Sequence, residues 1–250
     1  VSIIRILSVG RNVEQYLFDF FKSVEDQSYT LYTGLVILDS PEDNSWYTAA
    51  NLIRTQHLPF NLQLNKIRIY QPRNFYEGVH SVCKNDDDIV AIVDCDDQLL
   101  THNALSEVAD TYSKNPECLL TYGTYHRSSR HENDREFQGP YVTDNFRQQQ
   151  WKASHLKTFK YKLFKQLCQE DFMYDDKKTW FHRSGDQAMM LPMLEIAGFD
   201  RIRYIDKVIY GLTDHSSKPN RYTEAYPDVA MGRHVHEIVR SRKPYSRVEF

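Results

Sequence analysis

Short apolar runs alternate along this chain with stretches whose apolar residues recur at helical spacing. Val1 to Val9, Gly34 to Leu38, Lys66 to Tyr70, Asp88 to Val93 and Leu119 to Tyr122 are each the length of a strand, rich in β-branched or aromatic residues, and predict strands. Between them, Val13, Tyr16, Leu17, Phe20, Phe21 and Val24 trace one buried helical stripe, and Trp46, Ala49, Ala50 and Ile53 mark a second helix. Asn74 with Glu77 forms a capping-box pattern opening a helix through Cys83. Leu105, Val108, Ala109 and Tyr112 give another helix, with Thr101 as its expected cap and Pro116 beyond its end. Strands alternating with helices imply an α/β fold with a parallel sheet and right-handed crossovers.

The second half is less regular. Tyr125 to Trp151 is polar and without a sustained period, which predicts loops that shape an acceptor-binding lip. Trp151 to Phe164 mixes basic and aromatic residues, a composition that fits either a surface stacking on sugars and holding phosphates or a solvated edge strand. Ser184 and Gln187 form a second capping box, opening a helix through Met190, Met193, Leu194 and Ala197 that Pro192 should bend or interrupt. Ile202 to Ile205 and Val208 to Tyr210 predict two short strands, Thr213 to Ser217 a polar loop, and Val229 to Val239 a last helix.

The run from Asp88 to Val93 changes this picture most. Its apolar residues do not alternate with polar ones, so the strand should be covered on both faces and lie in the sheet centre. It ends in Asp94, Asp96 and Asp97, and ligands of open α/β sheets bind beyond the carboxyl ends of the strands. Three like charges repel unless a cation joins them, and carboxylate oxygens suit Mg²⁺ or Mn²⁺ shared with substrate phosphates. The competing reading is an Asp-rich turn that only closes a strand.

Composition narrows the partners. With 250 residues the chain has ample length for a sizeable core, and we expect a single domain over 1–250. A formal net charge of −3, with no strongly basic stretch, argues against nucleic acid. No run is apolar and long enough to span a membrane. Cys83, Cys95, Cys118 and Cys168 are scattered, which favours free thiols and a cytoplasmic setting, with a Cys83–Cys118 pair as the alternative in a secreted protein. Because the first residue is Val1, a missing upstream segment is expected, which keeps a lumenal setting open.

These features together resemble the family 2 inverting glycosyltransferases of the GT-A fold. The resemblance runs from Ile3 to about Ser217, through Asn12, Glu14, Tyr16 and Leu17, the Ser23–Tyr29 segment, Leu35–Ser40, Asn74 with Gly78, Asp94–Asp97 as the D-x-D-D motif, and Ser184–Gln187. It implies a nucleotide-sugar-binding half over about 1–122, an acceptor and catalytic half over 123–217, and a helical tail over 218–250. Asp39 would then hold the uracil of a UDP-sugar, with Arg11 and Asn74 also on the donor. Asp94 would touch the ribose or the metal, Asp96 would bind Mn²⁺ or Mg²⁺ at the diphosphate, and His215 would be a further metal ligand. Trp151 and His155 would face the acceptor, a glycan, a protein or another hydroxyl compound, Asp97 would help position metal or acceptor, and Asp186 would be the general base. Oligomeric state is left open.

Two departures stand out. The family usually has Pro where this chain has Ser8, and Glu before the catalytic Asp where this chain has Gly185. The second weakens the expected support of Asp186 and makes Asp175–Asp176 a rival base pair. A Mg²⁺-dependent phosphohydrolase of the haloacid dehalogenase type and a non-catalytic glycan- or nucleotide-binding module are the alternative readings.

Overall fold

The structure is a computed structural model that describes residues 3–127, 135–136, 138–213 and 226–250. Nine strands form one sheet: β1 (Ile4–Gly10), β2 (Tyr32–Asp39), β3 (Phe60–Asn65), β4 (Ile89–Ile92), β5 (Gln98–Leu99), β6 (Leu120–Arg127), β7 (Arg135–Glu136), β8 (Lys157–Lys160) and β9 (Ile202–Leu212). Their order is β3-β2-β1-β4-β8-β6-β9-β5, with β7 paired to β6. The helices are α1 (Leu17–Glu25), α2 (Ser45–Thr55), α3 (Tyr70–Val82), α4 (Ala104–Lys114), α5 (Tyr161–Phe164), α6 (Gly185–Ala197) and α7 (Tyr226–Ser241).

As the unalternating run predicts, β4 is buried on both faces. Ile89, Ala91 and Val93 join a core with Phe20, Phe21 and Val24 of α1 and Leu105 and Val108 of α4. Val90 and Ile92 join the opposite core, with Phe75 and Val79 of α3, Met189 to Leu191 of α6 and Val235 and Val239 of α7. The first four strands in the order are parallel, as is the long β6–β9 pair, so the expected mostly parallel sheet is present with antiparallel insertions. β8 runs antiparallel to both β4 and β6, and β5 antiparallel to β9.

Several boundaries also move. The third strand is Phe60–Asn65, where Phe60, Leu62 and Leu64 alternate with polar residues as an edge position requires, and Lys66–Ile69 is a connection in which Ile67 is 74% exposed. The basic aromatic segment yields β8 inside the sheet and not at an edge, its four residues all buried. Ile202–Leu212 is one strand and not two, its ladder with β6 broken by register shifts around Thr124. Pro192 sits within an unbroken α6.

None of the three expected caps forms. α3 starts at Tyr70, so Asn74 lies inside it. Asn103 takes the position before α4 and Thr101 makes no side-chain cap. Ser184 adopts a left-handed φ of 60° and its hydroxyl donates to the Gly232 carbonyl at 3.2 Å, away from the helix end. Every α6 residue except Asp186 is buried, so packing holds this helix where a cap does not.

Candidate functional site

A cavity of about 690 Å³ opens at the carboxyl ends of β1 and β2. Val9, Gly10 and Arg11 from the end of β1, Asp39 from β2, Arg68, Tyr70 and Gln71 around the start of α3, His182 to Ser184 and Asp186 around the start of α6, and Gly232, Arg233 and His236 of α7 line it. The strand ends and helix starts therefore supply most of its wall, as the open-sheet rule expects.

Asp39 is 4% exposed and already well bonded. One carboxylate oxygen accepts from the Asn65 amide and the Ile69 N–H, each at 3.0 Å, and the other accepts from the Tyr70 N–H at 2.8 Å. The carboxylate thus holds the first backbone N–H groups of α3, satisfying donors that helix starts leave unpaired. Asn74, expected on a ligand, accepts from Asn65 at 2.7 Å and donates to the Tyr70 carbonyl at 2.9 Å while 1% exposed. It buttresses Asp39 through Asn65 and is absent from the cavity lining. Arg11 does line the cavity, but pairs with Glu42 at 2.7 Å and donates to the Ser40 carbonyl at 3.2 Å.

Asp186 is the α6 residue that reaches the cavity, from the first turn of the helix. Gly185, in place of Glu, has a steric reason: a Cβ there would stand 3.1 Å from Pro72 Cα and 3.2 Å from the Phe75 ring. The start of α6 is pressed onto α3, and any side chain there would have to push Pro72 and Phe75 aside by a few tenths of an ångström. Asp175 and Asp176 do not line the cavity; Asp176 closes a turn by accepting from the N–H groups of Lys178 and Thr179, each at 2.9 Å. His236 of α7 stands near enough to Asp186 for the carboxylate to oppose the fall that burial imposes on the imidazole pKa.

The acidic loop after β4 lies against Gly10, where a Cβ would come 2.8 Å from the Cβ of Cys95. Only a glycine lets the end of β1 approach so closely. Asp97 is 2% exposed and accepts from the Tyr210 hydroxyl at 2.6 Å and the Thr213 N–H at 2.8 Å. Tyr210 in turn accepts the Asp94 N–H at 3.2 Å. Burial pushes both carboxyls up: Asp94 to about 6, with Asp96 and Asp186 adding to the rise and Lys157 opposing it, and Asp97 well above the usual range, with Asp94 and Asp96 adding to it.

Among the described residues, Asp94, Asp97 and His155 bring ligand atoms within 4.8 Å of one another. Asp94 Oδ1 is buried and, among the described residues, has no hydrogen-bond partner. Hard carboxylate oxygens, one of them unsatisfied, beside an imidazole fit a divalent ion. The grouping differs from the expected one. His155 belongs with the acids and stacks on Tyr210 at 4.6 Å, and Asp96, the expected main ligand, is outside the trio. Asp97, expected at the metal or the acceptor, is tied into the same buried network and belongs to the trio. His215 lies outside the described residues. Trp151 packs half-buried against the main core and does not line the cavity.

Sequence reasoning missed much of the far wall. Tyr70 and His182 stack at 4.0 Å with the Arg68 guanidinium 4.5 Å from the Tyr70 ring, and α7 adds Arg233 and His236. Residues so far apart in the chain carry no local signal of meeting.

The fold is of the GT-A type. It matches S. aureus TarS 1-349 in complex with UDP-GlcNAc at a TM-score of 0.65 and 15% identity, covering 86% of this chain and 60% of that one. It also matches the mannosyltransferase PcManGT from Pyrobaculum calidifontis in complex with GDP-Man and Mn²⁺, at a TM-score of 0.65 and 14% identity, covering 97% of this chain and 65% of that one. The chain therefore spans 60–65% of the length of these neighbours. No protein-family profile matches it, and no curated protein does.

Proposed function

We propose that this protein is a glycosyltransferase that moves a sugar from a nucleotide diphosphate sugar, with UDP favoured, to an acceptor hydroxyl with inversion. One observation carries the reading: Asp186, the only unburied residue of α6, faces the same cavity as Asp39, within electrostatic reach of the acidic loop. The fold's likeness to structures holding UDP-GlcNAc or GDP-Man with Mn²⁺ supports it. Residues 1–122 would supply most of the donor site, 123–217 the acceptor and catalytic half and 218–250 a helical tail, within a single domain.

In this reading the nucleotide lies along the ends of β1 and β2. Asp39 keeps a free lone pair for the base, and Arg11, Arg68, Arg183 and Arg233 give the lining a cationic character suited to a diphosphate. A divalent ion held by Asp94 with Asp96 or Asp97 would supply positive charge to the departing diphosphate. Asp186 takes the proton of the acceptor hydroxyl as its oxygen attacks the anomeric carbon. The new C–O bond forms on the face opposite the breaking bond to the diphosphate, which inverts configuration. His236 beside Asp186 and the stacked Tyr70–His182 pair line the same cavity and would flank that carbon.

The test has two stages. Thermal-shift titration with UDP, GDP and their sugars, with Mn²⁺ and with EDTA, should show metal-dependent stabilisation by at least one nucleotide. Donor turnover with glycan acceptors should then fall by roughly 10²-fold or more in Asp186→Asn while nucleotide binding persists. Binding without turnover for any donor and acceptor would favour the non-catalytic module, and absence of nucleotide binding would remove both readings.

A further inference from the structure

Lys157 is 3% exposed and sits in β8, inside the sheet. It pairs in register with Ile92, the last residue of β4, two positions before Asp94. Its ammonium donates to His155 Nδ1 at 3.3 Å, and the His155 ring shares the cluster whose ligand atoms lie within 4.8 Å of one another with Asp94 and Asp97. An ammonium is costly to bury unless opposite charge faces it, and a strand alone would be served better by Val or Thr. The opposite charge within electrostatic reach is the acidic loop: three carboxylates within four positions, of which Asp97 is buried and Asp94 half-buried. The Lys157 charge opposes the rise in the Asp94 pKa, and Asp94 Oδ1 lacks a bonded partner among the described residues. Arg127 is the other cation near His155, but its guanidinium donates to the Tyr125 hydroxyl at 3.2 Å.

We propose that Lys157 is a resident counter-cation of the acidic loop, offsetting Asp94 and Asp97 while no divalent ion is bound, so that a divalent ion binds against its charge. The proposal rests on the reading of that loop as the metal-holding element. Its consequence is that the metal binds weakly to the free protein and tightly only with a nucleotide diphosphate, whose negative charge restores the balance. Lys157 is thus a positioning residue that sets when the site accepts a cation.

Mn²⁺ binding to the nucleotide-free full chain, followed by the electron paramagnetic resonance signal of free Mn²⁺ at low ionic strength, is the test. Lys157→Met should bind Mn²⁺ roughly tenfold more tightly than wild type, and Lys157→Arg, which keeps the charge, about as weakly as wild type. In EDTA, Lys157→Met should melt below wild type, with the gap closing at saturating Mn²⁺. Unchanged, weaker or undetectable Mn²⁺ binding in folded Lys157→Met would overturn the proposal. Should that variant not fold, the double variant Lys157→Met/Asp94→Asn decides: recovered folding supports the counter-cation role, and continued misfolding overturns it. Nucleotide binding by the wild type is measured separately, so failure of the transferase reading and failure of the Lys157 proposal are distinguishable.

Discussion

Replacing Asp94 with Asn should stabilise the metal-free protein at neutral pH, although it removes a residue placed at the centre of the site. In the fold the Asp94 carboxyl is raised to about 6, chiefly by burial, against an unfolded value of about 3.9. A carboxyl raised in the folded state is bound to its proton more often there than in the unfolded chain. Its contribution is therefore least unfavourable below pH 4, and stability declines as pH rises from about 4 to about 6. Two pKa units correspond to about 3 kcal/mol above pH 6, all of it removed with the ionisable group. For a chain of 250 residues this is a rise of about 6 °C in melting temperature. Melting of wild type and Asp94→Asn in EDTA at pH 7.5 and at pH 4.5 measures it. The variant should gain at pH 7.5, the gap should shrink at pH 4.5, and nucleotide-dependent Mn²⁺ stabilisation should be lost. Equal or lower stability of the variant at pH 7.5, or a gap that ignores pH, would refute the reasoning.

Two further outcomes follow from the packing around the cavity. Asn74→Ala should cost about 1–3 kcal/mol in urea denaturation, because it leaves the half-buried Asn65 amide and the Tyr70 carbonyl with one partner fewer each, and should weaken nucleotide binding severalfold by loosening Asp39. Gly185→Glu restores the Glu-Asp pair by sequence, yet should lower stability by about 1–3 kcal/mol and reduce turnover, since its Cβ meets Pro72 and Phe75. A gain of activity in that variant would show that α6 and α3 move apart more readily than their contact implies.

β1, β2 and β4 were legible in the chain because they are buried along nearly their whole length. The unalternating run through Val93 could only be a central strand, and the acids at its end had to face the sheet's mouth. β8 was not legible because Lys157 and Lys160 look like solvated positions, whereas Lys160 lies along Tyr112 and donates to the Pro116 carbonyl at 3.1 Å. The third strand was misplaced because Lys66–Tyr70 has the stronger β-propensity, but the edge position selected the alternating Phe60–Asn65. The caps failed for a common reason: packing fixed the helix starts, leaving Asn74 and Ser184 to hold other parts of the cavity wall. Of the acids, Asp186 and Asp39 reach the cavity as expected by position, while the partnership of Asp94 and Asp97 with His155 depends on the antiparallel entry of β8, which no local pattern announces.

That late entry bears on how the chain is made. On the ribosome, residues through Tyr122 can form β1 to β4 with their helices, but the flank of β4 then exposes a row of unpaired N–H and C=O groups until Lys157 to Lys160 have been synthesised. The acid-bearing strand is thus an open seam over the 64 residues that separate Ile92 from Lys157, and the segment that closes it also brings the buried ammonium. Assembly of the sheet and charge compensation of its mouth are a single event.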